Sequence, residues 1–450
     1  MPSSMEPNNA PLKVIIIGGS LAGLMCGIAL KHAGHEVHII EQDGNERQSH
    51  MSGVGLGLSV DHFLQRHDRI SSVFSHRINC IQTLKNDKPR VLAIGNRDIT
   101  SWDAFYYRLR SNFDGYISSY YPVAPQPSDT DGLVSYEARQ KVLDIAPADA
   151  NANSSHITLS VLDRDSEKIY QRTADLVVGA DGPDSLVKAK YLPTVQRTYV
   201  GYIVWRGTVP EREVSGRTRE MFTNSIMTYM MRGGHCVVYT IAGPEGSLEP
   251  GERLLNFCWY TNETNEALDE IMVDSIDGHR HHYTVPAGRV RESIWSARME
   301  HIKNELPAPF LEIVTRIRRP FVQVVTEFSM SPPRAAFEDG KVLLMGDALT
   351  LLRPHTALGT AQAAFHALAI EDYVSGRISA AEWENQVLRF SFLHWSQSVW
   401  WGKFYQESIA TALISGVRYW MCYALETMRS WWNRDGLMLR MSPPVHKSAS

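Results

Sequence analysis

The amino-acid sequence predicts an α/β fold: a Rossmann-like dinucleotide-binding domain, an inserted antiparallel-sheet domain and a C-terminal helical region. Three observations carry this expectation. A glycine-rich turn joins a strand to a helix at residues 13–42, near the N-terminus. Two later buried strands end in Ala180-Asp181-Gly182 and Gly346-Asp347. Between them, about 195–335, runs a series of short strands. The chain therefore divides as 1–194 and 336–380 for the dinucleotide-binding domain, 195–335 for the inserted sheet, and 381–450 for the helices.

Bulk properties narrow the class. A chain of 450 residues can bury a large core in two or three domains. Hydrophobic content of 44% and charge of 21% are ordinary for a globular protein. A net charge of −4 gives no electrostatic reason to expect nucleic acid. The five cysteines (Cys26, Cys80, Cys236, Cys258, Cys422) are scattered, odd in number and form no CxxC. They read as free thiols in a reducing compartment, which predicts a cytoplasmic protein. Met1 to Leu12 is polar and rich in Pro and Asn, unlike a signal peptide.

The first element is "KVIIIGGSLAGLMCGIALKHAGHEVHIIEQ" (13–42). Val14 to Ile17 form a buried strand, Leu21 to His32 a helix closed by Gly34, and "EVHIIE" a second strand ending in Glu41. Gly18, Ser20 and Gly23 take the three places of GxGxxG. Small residues there let backbone approach a pyrophosphate at the helix N-terminus. Glu41, 23 residues after Gly18, can accept from a ribose hydroxyl. Strand, helix and acid all fall in place, so dinucleotide binding is predicted, with NAD and FAD both open at this point.

The stretch "ADLVVGADGPDSLVK" (174–188) is a further buried strand, and five segments between 201 and 330 alternate as short strands. These segments are "GYIVWRGTV", "SIMTYMM", "HCVVYTIAG", "RLLNFCWYT" and "FVQVVTEFSM". They predict an antiparallel sheet whose inner face lines a substrate pocket. "LLMGDALTLLRPHTALGTAQAAFHAL" (343–368) then places Asp347, Pro354 and His355 between a strand and a helix that starts near Gly359-Thr360. After Trp383 the chain is apolar and Trp-rich, with Arg418 and Glu426 interrupting "SIATALISGV" and "YWMCYAL". No uncharged apolar stretch reaches the about 18 residues of a spanning helix, so these read as packed helices, with a peripheral membrane contact as the alternative.

With its three ordered motifs, the chain resembles the single-component FAD-dependent aromatic hydroxylases of the p-hydroxybenzoate hydroxylase fold. Within them it is most similar to the 2,6-dihydroxypyridine 3-monooxygenase branch. "TSWDAFYYRLRSNFDG" (100–115), "GYIVWRGTVPE" (201–211), "HHYTVPAG" (281–288) and "GDALTLLRPHTALGTA" (346–361) carry that similarity. The resemblance implies FAD on Gly18, Gly19, Ser20, Leu21, Ala22, Gly23, Glu41, Gln42, Arg47, Val54, Trp102, Asp181, Gly346, Asp347, Pro354, Gly359 and Thr360. Asp347 takes the ribityl hydroxyl in this scheme. The N–H groups of Gly359 and Thr360 face the flavin edge that becomes anionic on reduction, and Pro354 stiffens the loop beside it.

Departures from the wider family are Thr350 for His, Ala361 for Asn, Trp102 for an Arg that touches the pyrophosphate, Lys188 for Arg, and Ala357-Leu358 for a more glycine-rich pair. The branch also lacks that asparagine and shares Trp102, and the set reads as a change of substrate.

The resemblance also implies the reaction. NAD(P)H, visiting without a second GxGxxG domain, reduces FAD; O2 then gives a C4a-hydroperoxide, which an electron-rich ring attacks. Arg206 either anchors an anionic or carbonyl oxygen or is a structural arginine. His355 either bonds the substrate and helps to move a proton or stabilises its loop. Tyr239 and Trp259 lie on pocket-wall strands and serve either the pocket or the core. Catalytic roles are assigned to Arg206, His355 and Pro354, and substrate contact to Arg206, Tyr239, Trp259 and His355. "HRHH" (279–282) lacks a fourth ligand, so no metal is expected.

The leading reading is a hydroxylase of a phenol, hydroxypyridine or similar enol-bearing ring, with NAD(P)H and O2 as co-substrates. The alternatives are a same-fold epoxidase or oxidative-rearrangement enzyme acting on a larger lipophilic intermediate, and a non-oxygenating flavoprotein that binds a partner.

Overall fold

The computed structural model describes residues 10–45, 52–85, 88–147, 156–231 and 233–433. One sheet has six strands in the order Ala336–Phe337, Val342–Leu344, Leu176–Gly179, Lys13–Ile17, Glu36–Ile40, Val134–Glu137. All its pairings are parallel except that of Ala336–Phe337 with Val342–Leu344. Its central strands are covered on both faces, which is why "VIII" and "LVVG" are unbroken apolar runs instead of alternating ones. Helices Leu21–His32 and Gly359–Val374 pack on each other beside it.

A second sheet has nine strands: Thr284–Val285, Phe321–Phe328, Arg197–Pro210, Leu254–Asn262, Gly234–Ile241, Ser225–Met231, His76–Lys85, Lys88–Ser101 and Gly53–Leu56. Every pairing is antiparallel apart from Ser225–Met231 with His76–Lys85. One face carries Trp205, Phe257 and Trp259 into an apolar core completed by Trp295 and Phe310 of the helices Glu292–Ile302 and Ala308–Val314. The other face lines the cavity described below.

Three of these nine strands lie within residues 53–101, inside the stretch that the sequence assigns to the dinucleotide-binding domain. Their apolar residues are partly outward, with Val91, Leu92 and Ile94 exposed. Alternation marks such segments as strands but says nothing about which sheet they join. Gln140–Pro147, Ile157–Asp163 and Ile169–Ala174 form a separate three-stranded antiparallel sheet.

The C-terminal region is a pair of helices, Ala380–Gln406 and Ile409–Asn433. Ser379 and Glu382 form a reciprocal cap at the start of the first helix. Trp383, Phe390 and Leu393 enter the main core, with Phe390 stacked at 4.0 Å on Phe365. Glu426, which interrupts the second helix in sequence, turns inward to Arg389 Nε at 2.7 Å. All five cysteines are free. Among the described residues no helix is long and apolar enough to cross a membrane.

Candidate functional site

One cavity of 880 Å³ runs from the glycine-rich turn to the inner face of the nine-stranded sheet. At its nucleotide end the backbone dominates. Gly18 has φ +100°, and a Cβ there would sit 2.5 Å from the Ala180 carbonyl oxygen. A Cβ on Gly23 would lie 2.0 Å from the Gly18 carbonyl oxygen. Only glycine lets the three strand ends and the helix come this close. The helix Leu21–His32 opens with no side-chain cap and no acid in its first turn, so its N–H groups point at the cavity unclaimed by a side chain.

Glu41 is buried at the cavity wall. Its Oε2 accepts from Gly19 N–H at 2.7 Å and its Oε1 from Asp43 N–H at 2.9 Å. The carboxylate thus fixes the glycine turn, with lone pairs left for a ribose hydroxyl. Ser20, Leu21, Ala22, Gln42, Val54 and Trp102 line the same space. Gly19 and Gly23 shape the turn from behind. Arg47 lies outside the described residues.

Two acids close this end. Asp181 Oδ2 accepts from Leu186 N–H at 2.8 Å, whereas its Oδ1 is buried without a partner and burial raises the carboxyl. Asp347 opens into the cavity while deep in the protein, and burial pushes its carboxyl up to about 6 against the pull of Arg197. Gly346 sits at φ +58°, and a Cβ there would lie 2.9 Å from the Ala22 Cβ. Beyond it a single turn, Pro354–Thr356, leads through Ala357 in the left-handed region into the helix Gly359–Val374. That helix also lacks a side-chain cap and a first-turn acid. Thr360 Oγ donates to the Gly55 carbonyl, tying the helix start to the nine-stranded sheet. A glycine cradle, two bare helix N-termini and acceptor carboxylates make up the donor and acceptor set that FAD requires, so the residues fit that group.

The sheet end is built from side chains. Register places Arg206 opposite Cys258, and Cys258 opposite Val237, all facing the cavity. Trp205 and Trp259 are also register partners, but on the opposite face, their rings 6.2 Å apart in the core. The assignment of Trp259 to the substrate is therefore corrected: in a strand where Cys258 and Tyr260 face inward, the residue between them must face away. Tyr239 does line the cavity, above Gly53, whose missing side chain makes room for its ring.

Arg206 donates from Nη1 to Gln323 Oε1 at 2.8 Å, while its Nε is buried without a partner. No carboxylate pairs with it among the described residues. Its neighbours are instead Cys258, Tyr239 and Tyr260.

His355 Nε2 lies 2.9 Å from the Tyr202 hydroxyl, and burial, reinforced by His235 and Arg353, lowers its pKa far enough to keep the ring neutral. It belongs to an aromatic cluster invisible in the sequence. His235 stacks between Tyr260, at 4.5 Å, and Tyr405, at 4.2 Å. Burial takes His235 down to about 3, and Gln406 Nε2 donates to its Nδ1 at 2.9 Å. Tyr405 and Gln406 come from the helix Ala380–Gln406, so the C-terminal region completes the cavity wall. No local motif announces that; only the packing of the helix against the sheet does. Arg97, on Lys88–Ser101, also reaches the cavity without an ion-pair partner among the described residues. At "HRHH", His281 bonds Asp274 at 2.9 Å, and among the described residues no group of three or more His, Cys, Asp or Glu is placed to hold a metal.

Fold and site together are those of a flavin-binding oxygenase: the chain is similar to the FAD-binding monooxygenases and is an FAD-dependent enzyme. A model described as FAD binding domain matches residues 13–94, and one described as FAD binding domain-like matches 199–327. The 2,6-dihydroxypyridine 3-monooxygenase of Paenarthrobacter nicotinovorans is 28% identical over 400 residues, covering 84% of this chain and 87% of the relative. The structure of 2,6-dihydroxypyridine-3-hydroxylase from Arthrobacter nicotinovorans superposes with a TM-score of 0.74 at 22% identity, over 89% of this chain and 95% of that one. A salicylate hydroxylase substrate complex gives 0.60 at 16% identity, over 98% and 100%. These superpositions bear out the p-hydroxybenzoate hydroxylase-like fold.

Proposed function

We propose that this enzyme uses NAD(P)H and O2 to hydroxylate an electron-rich ring bearing a phenol, hydroxypyridine or enol oxygen, with FAD across the nucleotide end of the cavity and the substrate at the sheet end. The observation that carries the reading is Arg206: a cavity-facing guanidinium with an unpartnered Nε and no carboxylate, walled by Cys258, Tyr239 and Tyr260. A buried cation without a counter-charge is costly, and an anionic or carbonyl oxygen on a ligand relieves that cost. Arg97, which also has no ion-pair partner among the described residues, adds to the cavity's preference for negative charge.

In this proposal residues 1–194 and 336–380 hold FAD and 195–335 the substrate, with strands of 53–101 completing the substrate wall. When bound, FAD supplies the electron transfer from the nicotinamide and the activation of oxygen. The residues of the chain do the rest. Arg206 orients the ring through its oxygen. The bare N-terminus of the helix Gly359–Val374 stabilises negative charge that appears beside it. Pro354 and the aromatic wall of His235, Tyr260 and Tyr405 exclude water. Neutral His355, hydrogen-bonded to Tyr202, offers the substrate hydroxyl a hydrogen-bonding partner. The likeness to a dihydroxypyridine monooxygenase supports this class of ring.

The test is oxygen-dependent NADPH and NADH consumption by the FAD-loaded protein against a panel of phenols and hydroxypyridines. Substrate-stimulated consumption with a hydroxylated product is expected. FAD-loaded protein that consumes neither nucleotide with any member of the panel would contradict the proposal.

A further inference from the structure

The helix Ile409–Asn433 packs one face, through Ala412, Tyr419 and Glu426, onto the helix Ala380–Gln406. Its other face is as apolar as a core. Ten large apolar side chains point outward, from Ile409 through Leu413, Val417, Met421 and Leu425 to Trp431 and Trp432. Ile409, Trp431 and Trp432 are 80%, 80% and 81% exposed. At 100° per residue they cover a band roughly 160° wide along a helix about 37 Å long. A hollow of 530 Å³ between Trp400, Leu413, Val417 and Trp420 opens onto this band and is walled by almost no polar surface.

Charge decides what can cover it. Arg418 and Arg429 are the charged residues exposed on this helix, and the same periodicity puts both on one flank of the apolar band. Its one acid among the described residues, Glu426, accepts from Arg389 Nε at 2.7 Å and from Arg429 Nη1 at 3.0 Å, so it is already held by two arginines of its own chain. A second copy docked face to face would bring Arg418 of each copy to a band with no free acid to meet it, since Glu426 is already held by Arg389 and Arg429. A bilayer surface with anionic headgroups offers an apolar interior for the band, phosphates for the arginines and an interfacial level for paired tryptophans.

We propose that this face is a monotopic membrane contact: the helix lies in the plane of an anionic lipid surface with Trp431 and Trp432 buried at headgroup depth and an acyl chain in the Trp400–Trp420 hollow. The contact is independent of the substrate reading, because none of these residues lines the site cavity.

The experiment is co-sedimentation of FAD-loaded protein with vesicles of phosphatidylcholine alone and of phosphatidylcholine mixed with phosphatidylserine. The mixed vesicles bind more strongly, and added salt removes that difference. The paired change Trp431→Ser with Trp432→Ser weakens binding at least tenfold, while flavin content and NADPH oxidation stay at the wild-type level. Leu413→Ser with Val417→Ser, at the other end of the band, does the same and guards against a folding defect in either pair. Absence of vesicle binding by the wild-type protein overturns the proposal. So does a dimer in sedimentation velocity that both pairs dissolve, since that would make the face a contact between copies.

Discussion

The two ends of the cavity are built by different means. At the proposed nucleotide end, short local motifs line the cavity: Gly18, Ser20 and Gly23 around one turn, Glu41 at the end of the next strand bonded back to Gly19, and the later Gly346-Asp347 turn. At the sheet end, Arg206, Cys258, Tyr260, His355 and Tyr405 come from four elements spread over 200 residues, and strand register together with the packing of a turn and a helix on the sheet brings them together. A dinucleotide is gripped largely by backbone, whose geometry glycines and helix termini dictate locally. A ring is recognised by side chains, whose meeting is decided by packing. The first end should therefore fail in cofactor retention, and the second in the use made of the cofactor.

The largest expected effect falls on neither end. Trp259 sits against Trp205 on the far face of the sheet, so Trp259→Ala should cost about 3–5 kcal/mol of stability in denaturant unfolding. The molecules that remain folded should keep the wild-type ratio of product to NAD(P)H consumed. A changed ratio would show that the far face communicates with the pocket and blur the comparison.

Asp347→Ala comes next. Losing a charge-assisted hydrogen bond of about 1.5–3 kcal/mol should weaken FAD about ten- to a hundredfold, read by flavin fluorescence on titration of apoprotein.

Glu41→Ala should weaken FAD about tenfold, and part of that loss comes from freeing the Gly19 turn. Turnover at saturating FAD should stay near wild type. Collapsed turnover with FAD still bound would move Glu41 away from the adenosine side.

The smallest effect is one of pH. With its carboxyl raised to about 6 in the apoprotein, Asp347 is increasingly protonated as pH falls through 6, and its charge-assisted acceptor strength goes with it. FAD affinity should therefore fall between pH 7 and 5. Asp347→Asn should remove that inflection. Apoprotein stability runs the other way for this group. A carboxyl raised in the fold favours folding at acid pH, and that contribution is lost as pH rises from about 4 through 6.

The same contrast explains what the sequence revealed. Strand, glycine turn, helix and Glu41 were legible because they are consecutive, and the burial of the parallel strands showed as unbroken apolar runs. The strands of the inserted sheet were legible as strands. Their inward faces were not: Trp259 is the wrong parity for the pocket and Cys258 and Tyr260 the right one, which only the pairing with Arg197–Pro210 fixes. The attachment of residues 53–101 to the second sheet, and of Tyr405 to the cavity, depends on contacts between segments far apart in the chain. The sequence leaves two roles open for Arg206, and its unpartnered Nε favours the pocket.

The most direct measurement concerns that residue. Arg206→Ala and Arg206→Lys, loaded with FAD, are assayed for product formed per NAD(P)H consumed with a substrate found in the panel. Both should hold FAD as tightly as wild type. The alanine variant should continue to oxidise NAD(P)H but release hydrogen peroxide in place of product, and the lysine variant should recover part of the coupling, because one ammonium cannot reproduce a forked guanidinium. If both variants keep the wild-type ratio, or if both lose FAD, the division of labour between the two ends of the cavity is wrong.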